Sequence, residues 1–195
     1  MVSSMLKSLA AGLTGGLLLA ALPLGAEEHD NVLFLDLASG RVVIEMRPDL
    51  APGHVARIKE LVREGFYDGV KFHRVIEGFM AQTGDPTGTG RGGSGKKLRA
   101  EFSSEPHVRG TLSMARSRDP DSADSQFFIV LDDAPHLDRQ YTVWGKVVEG
   151  MEFVDAIKLG RGGNGIVRDP DIVVRALIAA DVDGEIKKSP AAPGG

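Results

Sequence analysis

The sequence feature that most constrains the fold is a series of short β-rich runs separated by glycine, proline and aspartate. The first two runs, 32–37 and 42–46, are separated only by Ala38, Ser39 and Gly40, a spacing typical of a β-hairpin. Further strands are predicted at 70–76, 79–83, 111–115, 126–131, 141–148 and 172–179. So many short strands favour an antiparallel β-barrel or a β-sandwich, and a closed barrel would hide the strand edges.

Only two segments have the pattern of an α-helix. In 54–64, Val55, Ile58, Leu61 and Val62 recur at helical spacing, and Gly65 is a suitable stop. A second, shorter helix is predicted at 152–158. The first helix has one apolar face, so we expect it to cover one end of the β-structure.

Composition places the chain among globular proteins of ordinary character. It has 195 residues, of which 42% are hydrophobic and 26% charged, enough for one domain with a substantial core. The formal net charge of −4 gives no general attraction to nucleic acid or anionic lipid, so neither is expected as a partner. Because the chain has no cysteine, disulfides, thiolate metal sites and cysteine nucleophiles are excluded.

The N-terminus has the order of a secretory signal. Lys7 is followed by an apolar stretch from Leu9 to Leu22, then by Ala26 before two acidic residues. The stretch is shorter than the roughly 20 residues that span a bilayer, so we expect cleavage after Ala26 and no stable membrane insertion, although an uncleaved membrane tether is an alternative. The expected organisation is a signal peptide at 1–26, one domain at 27–180 and a mobile C-terminal tail at 181–195, with a periplasmic or secreted location.

Several motifs match cofactor or hydrolase patterns only superficially. The glycine-rich segment 84–95 contains Gly88, Gly90 and Gly93 at dinucleotide-binding spacing, but no strand ends directly before them and no helix opens after them. The five histidines form no metal-ligand pair, and no Gly-x-Ser-x-Gly elbow is present. We therefore expect no metal and no cofactor, and we expect 84–95 to be a flexible loop, with a nucleotide-binding loop as the disfavoured alternative.

Three separated blocks resemble the cyclophilin family in order and spacing. The first is FHRVIEGFMAQTGD at 72–85, the second LSMAR at 112–116 followed by SQFFI at 125–129, and the third LD at 137–138 followed by YTVWGKV at 141–147. The resemblance covers nearly all of 32–180, and the segment after Arg116 looks like the bacterial, exported branch. It implies a closed eight-stranded antiparallel β-barrel capped by two α-helices, with an external groove for X-Pro peptides.

The resemblance also implies the activity and the site. The activity would be peptidyl-prolyl cis-trans isomerisation in exported proteins, assisting their folding, by a monomer. Arg74 would donate a hydrogen bond to the prolyl nitrogen, Gln82 would orient Arg74 and the substrate carbonyl, and Phe79 would belong to the apolar proline pocket. The other residues expected to bind substrate are His73, Met80, Ala115, Arg116, Gln126, Phe128, His136, Leu137 and Tyr141.

Three departures from the family pattern affect these expectations. Arg116 stands where asparagine is more usual, and Tyr141 stands where many members have histidine, which preserves an aromatic wall. His136 stands where many members have tryptophan, so we expect cyclosporin binding to be weak. A non-catalytic peptide-binding chaperone with the same fold is the alternative, which the presence of Arg74, Phe79 and Gln82 disfavours.

Overall fold

The computed structural model describes residues 29–182. The expected signal peptide and all but Asp181 and Val182 of the expected tail lie outside the described residues. Within 29–182, no helix combines the length and apolar character needed to cross a membrane.

The described chain forms eight β-strands in one antiparallel sheet. The strands are β1 Val32–Leu37, β2 Gly40–Met46, β3 Arg74–Ile76, β4 Met80–Thr83, β5 Thr111–Met114, β6 Phe127–Val130, β7 Val143–Glu149 and β8 Arg175–Ile178. Their order across the sheet is β3-β4-β6-β5-β7-β2-β1-β8. The mainly β architecture and the first hairpin, in which Leu37 pairs with Gly40, are confirmed.

The expected closure of the barrel is not confirmed, because β3 and β8 form the two ends of the sheet and make no ladder with each other. An irregular segment lies between them instead and makes single bridges, from Ile166 to Arg74 and from Ile172 to Lys71. A regular strand is prevented there by Pro170, which has no N–H to donate, and by Asp169 at φ 53°. The sheet is therefore curled, and its gap is spanned by this segment.

Two α-helices lie wholly within the described residues, α1 Pro52–Arg63 and α2 Met151–Asp155. The apolar face of α1 is buried through Val55, Ile58, Leu61 and Val62, as its spacing predicts. Burial of one such side chain contributes roughly 1.5–3 kcal/mol. The helix α2 ends earlier than the predicted 158.

Apolar side chains are buried on both faces of the sheet at β4 and β6. In β6, Phe127 and Ile129 belong to the main core, whereas Phe128 belongs to a second, smaller cluster. In β4, Ala81 faces the main core and Met80 joins the second cluster. Because successive side chains of a strand point to opposite faces, the second cluster lies outside the sheet, where it can form part of a binding groove.

Candidate active site

A groove of about 750 Å³ lies over the second apolar cluster. All predicted site residues except Gln126 line it, and their individual roles stay predictions. These lining residues are His73, Arg74, Phe79, Met80, Gln82, Ala115, Arg116, Phe128, His136, Leu137 and Tyr141.

The floor and one wall of the groove are apolar. Met80, Phe128 and Leu137 are buried, and Phe79 and Tyr141 pack against them. The ring of Tyr141 meets that of Phe128 edge-on at 5.9 Å between centroids. The exposed His136 also lines the groove, and its ring centroid lies 5.4 Å from that of Phe79. The apolar cluster under the groove thus offers a surface suited to a small apolar ring such as that of proline, which we call the apolar slot.

Arg74 lies beside this slot, and cross-strand pairing brings Gln82 next to it. The β3–β4 register places Arg74 directly opposite Gln82, so both side chains are on one face. Nη1 of Arg74 donates to Oε1 of Gln82 at 3.2 Å, and Nε donates to the backbone oxygen of Asn164 at 3.0 Å. Nη2 has no acceptor within 29–182 and is available to a bound peptide.

A chain of amide hydrogen bonds continues from Gln82 into the glycine-rich segment. Nε2 of Gln82 donates to Oε1 of Gln126 at 2.9 Å, and Nε2 of Gln126 donates to the backbone oxygen of Gly92 at 2.8 Å. These bonds fix the orientation of both amide groups, so that the oxygen of Gln82 faces Arg74. Gln126 therefore supports Gln82 and lies in an adjoining groove.

The glycine-rich segment is organised around one buried carboxylate, Asp85. Its oxygens accept hydrogen bonds from the backbone N–H groups of Thr87, Thr89, Gly90 and Gly92. Burial alone raises the pKa of Asp85, but hydrogen bonds from the Thr87 hydroxyl and from these N–H groups outweigh it and hold the pKa well below 3.8. The segment thus folds around a charge and presents Gly88, Thr89 and Gly90 to the groove.

His73 contributes a buried imidazole to the groove lining. Neither ring nitrogen has a hydrogen-bond partner in the described part of the chain. Burial lowers the pKa of His73, which the more distant charge of Asp85 only partly opposes. The ring is therefore neutral at neutral pH and adds no second cation beside Arg74.

Arg116 lies at the boundary between this groove and the adjoining one. Its guanidinium lies 4.4 Å from the ring centroid of Tyr141, a cation–π distance, and Nε and Nη2 donate to the backbone oxygen of Gln140. The side chain thus holds the aromatic wall in place.

The sequence did not predict the contributions of Asn164 and Ile166, which lie on a loop far from the three blocks. Both line the groove, and Ile166 is 57% exposed. The repeated glycines at 160, 162, 163 and 165 were the available signal, since such a run permits a tight turn that brings backbone close to another element.

The comparisons with known proteins agree on one family. A family model described as "Cyclophilin type peptidyl-prolyl cis-trans isomerase/CLD" matches residues 33–177. A probable peptidyl-prolyl cis-trans isomerase from Brucella suis is 56% identical over 169 residues, covering 80% of this chain and 86% of the relative. Peptidyl-prolyl cis-trans isomerase B from Bacillus subtilis is 46% identical over 129 residues, covering 65% of this chain and 90% of the relative.

Solved structures give the same result. A cyclophilin from Hirschia baltica matches with a TM-score of 0.71 and 32% identity, covering 78% of this chain and 75% of the other. A cyclophilin-type isomerase from Cryptosporidium parvum, solved in the presence of the dipeptide Ala-Pro, matches with a TM-score of 0.70 and 30% identity, covering 75% of this chain and 98% of the other. The chain therefore belongs to the cyclophilin-type peptidyl-prolyl cis-trans isomerases, and its class of enzyme is that of this family.

Proposed function

We propose that this protein accelerates rotation about X-Pro bonds in exported proteins, with Arg74 as the catalytic hydrogen-bond donor. One observation carries the proposal: the guanidinium of Arg74 is held from two sides, by Gln82 and by the backbone of Asn164, next to an apolar slot formed by Phe79, Met80, Phe128 and Leu137.

The reaction needs weakened amide resonance, with no nucleophile or redox step. An X-Pro bond rotates slowly because its C–N bond has partial double-bond character, with a barrier of ~18–20 kcal/mol. In the twisted state the prolyl nitrogen becomes pyramidal and regains a lone pair, which can accept a hydrogen bond. A donor placed there stabilises the twisted state and not the planar ground state, so it raises the rate.

Arginine suits this role because its guanidinium stays protonated and is planar, and its orientation can be fixed by other hydrogen bonds. A thousandfold acceleration requires about 4 kcal/mol of differential stabilisation. A fixed donor in a partly dehydrated groove can supply most of that amount.

Exchange NMR on a short proline peptide tests the activity directly, since it needs no coupled protease. We expect catalytic amounts of protein to broaden and then merge the cis and trans resonances. If the protein bound the peptide without speeding the exchange, the non-catalytic chaperone would be the better interpretation.

The exported location is proposed from residues 1–26 alone. We expect the protein recovered from its native host outside the cytoplasm, with its first residue at Glu27, and intact-mass measurement of that protein checks both points. A mass that retains residues 1–26 would contradict cleavage and favour a membrane tether.

Three further expectations belong to the same proposal. Binding of cyclosporin should be weak, which a titration tests, and the protein should be a monomer, which sedimentation tests. The activity should need no cofactor or metal, which an assay in the presence of a chelator tests.

A charge preference in the substrate is expected from the adjoining groove of about 460 Å³. Arg91, Lys97 and Arg116 line it and have no carboxylate partner in 29–182, whereas its one carboxylate, Asp124, accepts hydrogen bonds from Ser94 and Gly95. We expect glutamate two or three residues from the proline to raise kcat/KM about threefold to fivefold over glutamine at low salt. The preference should shrink at about 0.5 M salt.

Lys97→Gln should reduce this preference, and Lys96→Gln is the matched control. Lys96 is the neighbouring lysine, but it does not line the groove, and its Nζ is paired with Oε2 of Glu60 at 3.9 Å. Equal rates for glutamate, glutamine and lysine peptides, or equal effects of the two variants, would contradict the charge preference without affecting the proposed isomerase activity.

A further inference from the structure

The loop 160–166 follows α2 and lies along β3, joined to it by backbone hydrogen bonds. Gly160 N donates to the oxygen of Val75 at 2.9 Å, and Val75 N donates to the oxygen of Gly165 at 2.8 Å. The loop also closes on itself, since Arg161 N donates to the oxygen of Ile166 at 3.0 Å. Both arms of the loop are therefore fixed relative to the strand that begins with Arg74.

This docking places one backbone oxygen of the loop against the guanidinium of Arg74. Nε of Arg74 donates to the oxygen of Asn164 at 3.0 Å, while Nη1 donates to Gln82 at 3.2 Å. Two fixed acceptors on different nitrogens define the plane of a guanidinium, which one acceptor cannot do. Because the acceptor on Nε is a main-chain carbonyl, its position depends on the path of the loop and not on the side chain of residue 164.

The path of the loop depends on glycine at two positions. Gly165 has φ 69°, and a Cβ there would overlap the side chain of Ile76 and lie 2.9 Å from the oxygen of Val75. A Cβ on Gly160 would overlap the carbonyl of Gly165. Gly163 differs, because a Cβ on it would meet no atom within 4 Å and its φ is outside the left-handed region.

We propose that the loop 160–166 is a positioning element for Arg74, acting through the backbone oxygen of Asn164. The proposal rests on the proposed catalytic role of Arg74 and adds a second orienting group to Gln82. The loop contributes no residue to the second apolar cluster, although Asn164 and Ile166 line the groove. Its effect is to keep the guanidinium in the plane from which a donor can reach the prolyl nitrogen.

Gly165→Ala is the test, and Gly163→Ala is its matched control in the same loop. Displacing the Asn164 oxygen should lower kcat about tenfold to a hundredfold, because misplacement of a catalytic group by about 1 Å has effects of this size. The KM should change by less than about twofold, since the apolar slot is untouched. Gly163→Ala should keep the kcat and KM of the wild type.

NMR of the arginine side chains supplies a readout that does not depend on any variant folding. In the wild-type protein, the Nε–H of Arg74 should exchange with water much more slowly than the Nε–H of Arg175, whose exposed side chain on β8 donates no hydrogen bond to any residue of 29–182. Gly165→Ala should abolish this protection, and Gly163→Ala should preserve it.

Two results would overturn the proposal. One is equally fast exchange of the Nε–H groups of Arg74 and Arg175 in the wild type. The other is wild-type kcat in a Gly165→Ala variant that has lost the Arg74 protection. An inactive wild-type protein would instead refute the proposed function, while the exchange measurement would still report on the placement of Arg74.

Discussion

Arg74→Ala is expected to lower kcat/KM on a proline peptide on the order of 10²–10³-fold, the loss typical of removing one positioned donor from an active site. The fold should survive, because Arg74 is only half-buried and packs at the groove rather than in either apolar cluster. We therefore expect a melting temperature within about 2 °C of the wild type. Exchange NMR for the rate and thermal unfolding for stability check the two parts separately.

Arg175→Ala is the control for this experiment. Arg175 also lies on a strand and is exposed, but it does not line the groove. This variant should be as active as the wild type. Wild-type activity in the Arg74→Ala variant would contradict the catalytic role proposed for Arg74. A large fall in the melting temperature of this variant would show that Arg74 supports the fold instead.

Asp85→Asn is expected to destabilise the protein by about 2–4 kcal/mol, the largest stability effect among our predictions. The buried carboxylate accepts hydrogen bonds from four backbone N–H groups, and bonds to a charged acceptor contribute about 1.5–3 kcal/mol each without being additive. In asparagine an NH₂ group replaces one of the two carboxylate oxygens, and this group cannot accept the hydrogen bonds that the backbone N–H groups donate. Activity should also fall, because the segment that it organises holds Gln126 through the oxygen of Gly92.

The pH dependence of this effect has a definite sign. The pKa of Asp85 is lower in the folded protein than its ordinary value of 3.8, so its ionised form stabilises the fold at every pH above that value. The contribution is lost as the pH falls below 3.8 toward the folded pKa. Denaturant unfolding should therefore show a constant difference between wild type and Asp85→Asn from about pH 5 to pH 8, shrinking in acid.

Asp132→Asn serves as the comparison, since Asp132 is an exposed carboxylate outside the groove lining. It should change stability by less than about 0.5 kcal/mol. An Asp85→Asn variant as stable as Asp132→Asn at neutral pH would show that the glycine-rich segment does not depend on the charge.

The sequence predicted the local elements well where the pattern was strong. The 3.6-residue spacing of Val55, Ile58 and Leu61 located α1, and Ala38-Ser39-Gly40 located the first hairpin. It overestimated the length of β3, predicted from residue 70 but observed only at Arg74–Ile76, because 70–73 bond with an irregular segment instead of a neighbouring strand. The same segment is the reason that the expected barrel closure is not confirmed.

The glycine-rich segment 84–95 was interpreted from sequence as a flexible loop. Backbone N–H groups of the segment instead donate hydrogen bonds to the carboxylates of Asp85 and Asp124. A motif with Asp followed by threonines and glycines is typical of side chain–backbone turns, and this was the missed signal.

The sequence by itself determined the family, the antiparallel β character and the residue types that gather in the groove. These features follow from the identity and order of the side chains, which the β-rich runs and the three motif blocks show directly. Only the tertiary structure decided how Arg74 is held. Its Nε acceptor is a backbone oxygen 90 residues away along the chain, on a loop outside the motif blocks. A main-chain carbonyl has the same chemistry at every position, so no local pattern identifies the one that packing brings to the guanidinium.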